Sequence, residues 1–482
     1  MARPELSNAL ASVRGLAQQA FSRAAGAPLV PGNSIRLLKD ARENYPAWLD
    51  AIAGAKRFIH FESYIIHDDA VGDRFSEALV ARARDGVPVR VIYDWMGGFG
   101  KTSRRFWRRL RAGGVEVRCY NAPTLASPLG WLSRDHRKML AVDGAVGFVS
   151  GLCVGQPWVG DAGRNIAPWR DTGVEVRGPA VRQIDTAFAQ MWAMMGAPIP
   201  DDGKAGADPI APVGETPLRI VATLPATAGL LRLGQLVAAL ARERLWLTDA
   251  YYAGTLLYAE GLRAAARDGV DVRLLVPNGT DIPLLRPLSQ AGYRTLLEAG
   301  VRVFEWNGTM LHAKTAVADG RWARVGSTNL NPASWLGNCE LDVLVEDERF
   351  GREMEEMYVE DLANATEITL DERSRVRRRE DEPDPATSGG GGSAGRAAAG
   401  LLRIGNTVGA AVIARRTLEP VETRITLAVS IALLILATVV AVFPRLIAYP
   451  FAALAVWIAG ALTYRCYRLR RTAPRDTRSA AG

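Results

Sequence analysis

Between residues 36 and 370, apolar positions follow two alternating periods. VPVRVIYD (87–94) and VDVRLLVP (270–277) alternate over their first five positions and are rich in branched residues, as a half-buried strand does. Each follows a segment with apolar residues every three or four positions that stops at Asp-Gly, a helix terminus. The pattern also repeats: ARDGVPVRVIYD (83–94) returns as ARDGVDVRLLVP (266–277), and Gly114-Val115-Glu116-Val117 as Gly300-Val301-Arg302-Val303. Strands alternating with helices imply an α/β sandwich in each half. The reading is two similar domains, 36–205 and 206–370, packed about a pseudo-two-fold axis.

Outside this body the pattern changes. Residues 1–35 begin with helical apolar spacing interrupted by Arg3, Arg14 and Arg23, which suits an amphipathic segment and not a secretory signal. The linker 371–400 passes from mixed charge to SGGGGSAG, and 401–424 reads as an interfacial amphipathic helix. Within 425–464, two uncharged runs (425–443 and 446–464) each have a length of about 28 Å as helix, close to a bilayer's hydrocarbon core. Only Pro444 and Arg445 separate them, which predicts a transmembrane hairpin. Arg415, Arg416 and Arg424 precede it, and a basic tail (465–482) follows. The positive-inside rule places both flanks in the cytoplasm.

Composition narrows the function. With 48% hydrophobic residues in 482, wholesale disorder is excluded. Four scattered cysteines suit thiols in a reducing compartment better than disulfides or a zinc site. The net charge of +8 favours polyanionic partners, either nucleic acid or an acidic lipid surface.

Two of the four histidines lie in a repeated motif. DHRKMLAVDGAVGFVSG (135–151) and LHAKTAVADGRWARVGSTN (311–329) align His136, Lys138 and Asp143 with His312, Lys314 and Asp319 at a constant offset, 312 − 136 = 176. Ser150-Gly151 matches Gly326-Ser327 at that offset. A His and a Lys on alternate residues of an extended strand point to one face. Two such pairs bracket a phosphodiester with two cations and supply a nucleophile and an acid without a metal or other cofactor. The small Gly/Ser turn after each motif strand permits close approach and offers donors to phosphate.

The motifs resemble the phospholipase D superfamily signature H-x-K-x4-D-x6-G-[SG]-x-N. The second copy is complete through Asn329. The first has Ser150 for the leading Gly and Cys153 in place of Asn. GNSIRLLKDARENYPAWLDAIAGA near the start and PWRDTG (168–173) are similar to the bacterial cardiolipin synthase branch. The resemblance implies two phospholipase D-like α/β/α domains and catalysis by His136, Lys138, Asp143, His312, Lys314 and Asp319, with the two aspartates mainly holding the motif turns. It implies phosphate contacts from Ser150, Gly151, Ser327 and Asn329. It further implies an orienting carboxylate downstream of each motif, Asp171 for the first half and Glu340 for the second. The activity implied is phosphatidyl transfer between two phosphatidylglycerols, giving cardiolipin and glycerol through a phosphohistidine. The alternatives are a phospholipase D hydrolase, a phosphatidylserine synthase-like transferase, a nuclease and a lipid-binding scaffold. The implied setting is the bacterial inner membrane, with the catalytic domains on its cytoplasmic side against an anionic lipid surface and no nucleic-acid partner. The oligomeric state is left open.

Other residues carry weaker signals. His60, in the apolar RFIHFESYII, reads as a core histidine, with Asp249 in the matching second-half strand and Glu62 and Tyr64 as candidates to line the cleft. KTSRRFWRRLRAGG (101–114) is a basic helix, either a solvated face or an anionic-lipid contact. TLASPLGWLSR (124–134) is either core or a bilayer-dipping loop.

Overall fold

A computed structural model describes residues 18–124, 132–203, 210–253, 256–281, 285–370 and 376–378, with isolated positions between 434 and 463. The linker 371–400 apart from 376–378, the helix 401–424, nearly all of the hairpin 425–464, the tail and residues 125–131 lie outside the described set. Among the described residues, no helix is long and apolar enough to cross a membrane. The described residues divide into two compact units. One holds the body, up to Tyr120 and from Ser133 onward; the other takes in Asn121–Leu132 and the positions beyond 400.

The body is mixed α/β. Its first half has strands β1 (Val30–Lys39), β2 (Ile59–Ser63), β3 (Val89–Asp94), β4 (Glu116–Tyr120), β5 (Lys138–Val142), β6 (Val146–Ser150) and β7 (Thr172–Arg177). The second has β8 (Thr216–Thr223), β9 (Arg244–Thr248), β10 (Asp271–Pro277), β11 (Arg302–Trp306), β12 (Thr315–Ala318), β13 (Trp322–Gly326), β14 (Glu340–Glu346), β15 (Ala365–Leu370) and β16 (Val376–Arg378). The longer helices are α1 (Asp40–Ala53), α2 (Ala70–Arg84), α3 (Arg104–Ala112), α4 (Val181–Met194), α5 (Gly229–Leu240), α6 (Leu256–Arg267), α7 (Leu285–Leu297) and α8 (Glu348–Leu362).

The strands form one 16-stranded sheet, ordered β16-β15-β11-β10-β9-β12-β13-β14-β8-β1-β7-β6-β5-β2-β3-β4. From the central β8/β1 pair outward, β8-β14-β13-β12-β9-β10-β11 repeats β1-β7-β6-β5-β2-β3-β4. The sequence repeat is thus a repeat of sheet topology, joined through one antiparallel pair with a bulge between Val30 and Asn33. The sequence implies a sandwich in each half, packed about a pseudo-two-fold, and does not show how the two sheets meet. The edge-to-edge pairing of β1 with β8 satisfies backbone groups that each half would otherwise leave exposed.

Strands β6 and β7 also pack against β13 and β14. Leu37, Val149, Val174 and Val176 of the first half and Ile220, Val317, Val325, Leu341 and Val343 of the second share one core, closed by Phe188 and Met191 of α4 and Phe350 and Met354 of α8. Helices α1 and α2 cover the opposite face of the first half-sheet, where Trp48, Phe61, Phe75 and Phe148 meet. Both Asp-Gly signals are helix stops: α2 ends before Gly86 (φ 86°) and α6 before Gly269 (φ 92°), a backbone only glycine adopts freely. His60 is a core residue, stacked between Phe58 and Phe188 with Nδ1 2.6 Å from Asp185.

Candidate functional site

Strand register places the two motifs. β5 begins at Lys138 opposite Ser63 of β2, and β12 begins at Thr315 opposite Thr248 of β9. His136 and His312 therefore stand just before equivalent strands, at the end where β2 and β9 finish. Here the halves cross. The His136 N–H donates to the Cys339 carbonyl (2.9 Å) and the Cys339 N–H to the Arg134 carbonyl (2.8 Å). Reciprocally, the His312 N–H donates to the Arg170 carbonyl (2.7 Å) and the Arg170 N–H to the Met310 carbonyl (2.8 Å).

This bridging decides which carboxylate meets which histidine. Glu340 follows Cys339 and lies 2.9 Å from His136 Nδ1, while Asp171 follows Arg170 and lies 2.7 Å from His312 Nδ1. The pairing expected within each half is corrected: both carboxylates contact a histidine, but the histidine of the other half. The bridge is braced by Arg170, whose guanidinium binds Asp361 of α8 at 2.7 and 2.9 Å and Asp40 of α1 at 3.2 Å.

The surroundings of the two pairs differ. Asp171 Oδ2 also accepts from Trp158 Nε1 (2.9 Å), and its Oδ1 accepts from the Thr172 N–H (2.9 Å). Glu340 Oε2 also accepts from Ser327 Oγ (2.6 Å), and its Oε1 from Asn338 Nδ2 (3.2 Å). Burial alone would raise the Asp171 pKa, but His312, Lys314 and the Trp158 donor hold it below the usual carboxylate range. Glu340 is raised by burial against the opposing pull of Lys138.

Both imidazoles are held toward the neutral form. Burial comes first for each, then the lysines: His136 is lowered well below its usual value by Lys138 and Lys314 as well, and His312 falls to about 4 despite Asp171. Each ammonium donates to the carbonyl of its own histidine. Lys138 lies over the Tyr64 ring at 5.2 Å and Lys314 over Tyr251 at 5.6 Å. Burial and the neighbouring Lys138 bring Lys314 down to about 8. Two lysine side chains and two imidazoles thus meet in one buried site.

Aromatic rings frame it unequally. Tyr64, a sequence candidate, stands edge-on to His136 at 5.0 Å. His312 is enclosed by Trp158 (5.5 Å), Trp169 (5.7 Å) and Tyr251 (5.8 Å), none of which the sequence reading singled out. Trp169 lies inside the quoted PWRDTG, and Tyr251 just after the strand already matched to that of Tyr64. Arg137 was also missed; it faces away from the site, buried, donating to the Ala187 and Thr223 carbonyls at 2.9 Å each.

Other expected site residues fall elsewhere. Asp143 and Asp319, counted with the catalytic set, sit at the far ends of β5 and β12, about 16 Å along a strand from the histidine end. Asp143 accepts from the Lys56, Arg57 and Phe58 N–H groups (2.7–3.0 Å), and Asp319 from Arg242, Glu243 and Arg244 (2.8–3.0 Å). Both adopt positive φ (59° and 50°), which Asp tolerates in a tight turn. They lock the turns and do not reach the reacting atoms. The Ser327 hydroxyl, expected on phosphate, serves Glu340, and Ser150 Oγ closes its own turn on Leu152. Gly151 makes room for a carboxylate: a Cβ there would lie 2.1 Å from Asp171 Oδ1. Asn329 is buried with its side-chain oxygen unpartnered. Glu62 is buried beside Asp135, and burial with that neighbour raises its pKa well above normal. Asp249 accepts from the Tyr251 and Leu330 N–H groups (2.9 and 2.7 Å), holding the loop of Tyr251.

Comparison with known proteins agrees with this geometry. A family model described as "Cardiolipin synthase, PLD-like domain" matches residues 48–192 and 237–362. Cardiolipin synthase A of Pseudomonas aeruginosa is 34% identical over 392 residues, 78% of this chain and 77% of that protein. The cardiolipin synthase of Alkalihalophilus pseudofirmus is 31% identical over 350 residues, 71% and 69% of the two chains. In fold, the chain is similar to the phosphatidylserine synthase of Haemophilus influenzae (TM-score 0.58, 13% identity, covering 72% of this chain and 91% of that one).

Proposed function

The chain belongs to the PLD-like cardiolipin synthase family and is a phosphatidyltransferase of that superfamily, and we propose from this that it joins two phosphatidylglycerols through a phosphatidyl-histidine. The observation that carries the reading is the crossed pair of His–carboxylate contacts with Lys138 and Lys314 beside them. A phosphodiester seated there meets two fixed positive charges in a buried, low-dielectric site.

His136 is the nucleophile. Its Nδ1 faces Glu340, and its depressed pKa leaves Nε2 with a free lone pair at neutral pH. His312 is the acid. The arriving phosphodiester anion offsets the repulsion from Lys314 and Lys138, so His312 gains a proton as substrate binds, and ionised Asp171 stabilises the imidazolium. His136 Nε2 bonds to phosphorus, the bond to the departing glycerol oxygen breaks, and His312 donates its proton to that oxygen. The hydroxyl of a second phosphatidylglycerol then loses its proton to His312, attacks phosphorus and releases His136. Asn329 serves the bound phosphodiester, a role supported by its burial and its unpartnered side-chain oxygen.

The protein works at the inner membrane of a bacterium, its body on the cytoplasmic side against anionic lipid. The hairpin 425–464 anchors it there; 36–205 and 206–370 are the catalytic halves. Purified full-length protein in detergent with labelled phosphatidylglycerol should yield cardiolipin and glycerol, resolved by mass spectrometry. Phosphatidic acid as the sole product would replace transfer with hydrolysis. A reporter fused after Gly482 should read as cytoplasmic.

A further inference from the structure

The end of the body that carries the histidines also carries exposed apolar loops with cations beside them. Strands β2 and β3 are parallel and finish together at Ser63 and Tyr93, next to the start of β5. The Asp135 N–H donates to Asp94 Oδ2 (2.9 Å), tying the exit of β3 to the residue before His136. The chain then turns through 95–103. Gly97 is pressed so close to Tyr64 that a Cβ would lie 2.9 Å from the ring, and Tyr64 is the ring against His136.

At the tip of this turn Phe99 is 55% exposed, touched by the half-buried Trp95 at 5.2 Å. Lys101 and the exposed Arg104, Arg105 and Arg108 follow at once. Helix α3 buries Phe106, Trp107 and Leu110, so its arginines are directed outward. A second loop leaves the site between Trp158 and Trp169, both on His312. It exposes Val159 (47%) and Ile166 (40%) beside Arg164. The nearby acids are already engaged: Asp68 accepts from the Ser103 N–H, Asp69 from Val71, Gly72 and Gln156, Asp161 from Arg164, and Asp73 pairs with Arg109.

We infer that Phe99, Val159 and Ile166 enter the acyl-chain boundary of an anionic bilayer while Lys101, Arg104, Arg105 and Arg164 meet its headgroups. The inference rests on the phosphatidyltransferase reading and names the surface through which that site meets its substrate. Apolar tips with a cationic rim are complementary to anionic lipid, and aromatic rings settle at the interface. The site then faces lipid directly, and a diester need rise only to headgroup depth to reach the histidines.

The test places a fluorescent amino acid at position 99, 166 or 240 of the full-length protein, in bilayers whose acyl chains are brominated. Leu240 is the control: equally exposed (51%), it lies by the Asp319 turn at the far end of the strands. Quenching is expected at 99 and 166 in phosphatidylglycerol bilayers and absent at 240. No quenching at 99 and 166, or equal quenching at 240, overturns the inference. Arg104→Gln with Arg105→Gln should cut turnover of bilayer phosphatidylglycerol roughly 25-fold, about fivefold per charge, and leave turnover of a short-chain monomeric analogue unchanged. An equal loss on both substrates would also overturn it. Quenching at 99 and 166 with no lipid product from either substrate would support this surface and overturn the transferase reading alone.

Discussion

The His136 half and the His312 half share a strand order, a motif and a turn-locking aspartate, yet their sites have different neighbours. His312 is enclosed by Trp158, Trp169 and Tyr251, and its Asp171 partner is kept ionised. His136 has Tyr64 alone among these ring contacts, and burial pushes its Glu340 partner upward. A repeated sequence has thus produced a conserved frame and two chemically distinct imidazoles. In the proposed mechanism His312 carries a transient positive charge, while His136 stays neutral and attacks. The crossed bridges join them: each half lends the other a carboxylate, so neither site is complete alone.

The largest expected effect comes from the histidines themselves. His136→Ala and His312→Ala should each lower kcat by at least about 10⁴. Only the His312 variant should still be phosphatidylated by a donor with a nitrophenyl leaving group, which needs no acid. An adduct on His312 in the His136 variant would reverse the assignment.

Next come the carboxylates, where the halves should separate. Asp171→Asn removes a charge that balances imidazolium and should cost about 10³ in kcat, whereas Glu340→Gln should cost roughly tenfold to a hundredfold. Equal losses would erase the distinction. Gly151→Ala should mimic a milder Asp171 variant, because the new methyl displaces that carboxylate.

The pH response follows from the depressed imidazole. NMR titration of the free enzyme should place His312 near 4, and lower still in Asp171→Asn, since Asp171 raises it. Between about 6.5 and 4 the unfolded chain binds the proton that folded His312 refuses. That term is absent above the unfolded value and costs stability as pH falls, by about 3 kcal/mol. Asp94 and Asp249, raised by burial to about 7 and about 6, act in the opposite sense. The difference in acid melting between wild type and His312→Asn reads the histidine together with its Asp171 partner; no difference would remove the pair as a source of acid sensitivity.

The smallest effect on chemistry should come from the far turns. Asp143→Ala loses three backbone N–H partners and leaves Ala at φ 59°, for a loss of about 2–3 kcal/mol in thermal or urea unfolding. Below its melting point, kcat should stay within about threefold of wild type.

What depends on near neighbours was legible in the chain. Alternating apolar positions placed β3 and β10, Asp-Gly stopped α2 and α6, and the constant offset of His, Lys and Asp revealed a repeat with phosphodiester chemistry. The turn role of Asp143 and Asp319 came with the family resemblance, the glycine after each being its local sign. The crossed pairing was not: Asp171 meets His312 across 141 residues and Glu340 meets His136 across 204. Proximity in sequence pairs each carboxylate with the motif of its own half. The β1–β8 junction, the packing of β6 and β7 against β13 and β14, and the reciprocal 134–136/339 and 170/310–312 bridges bring the distant one closer. The tryptophans at His312 were hidden for the same reason. An aromatic in a loop reads as core or surface with equal ease, and only the packed chain decides which imidazole it shields.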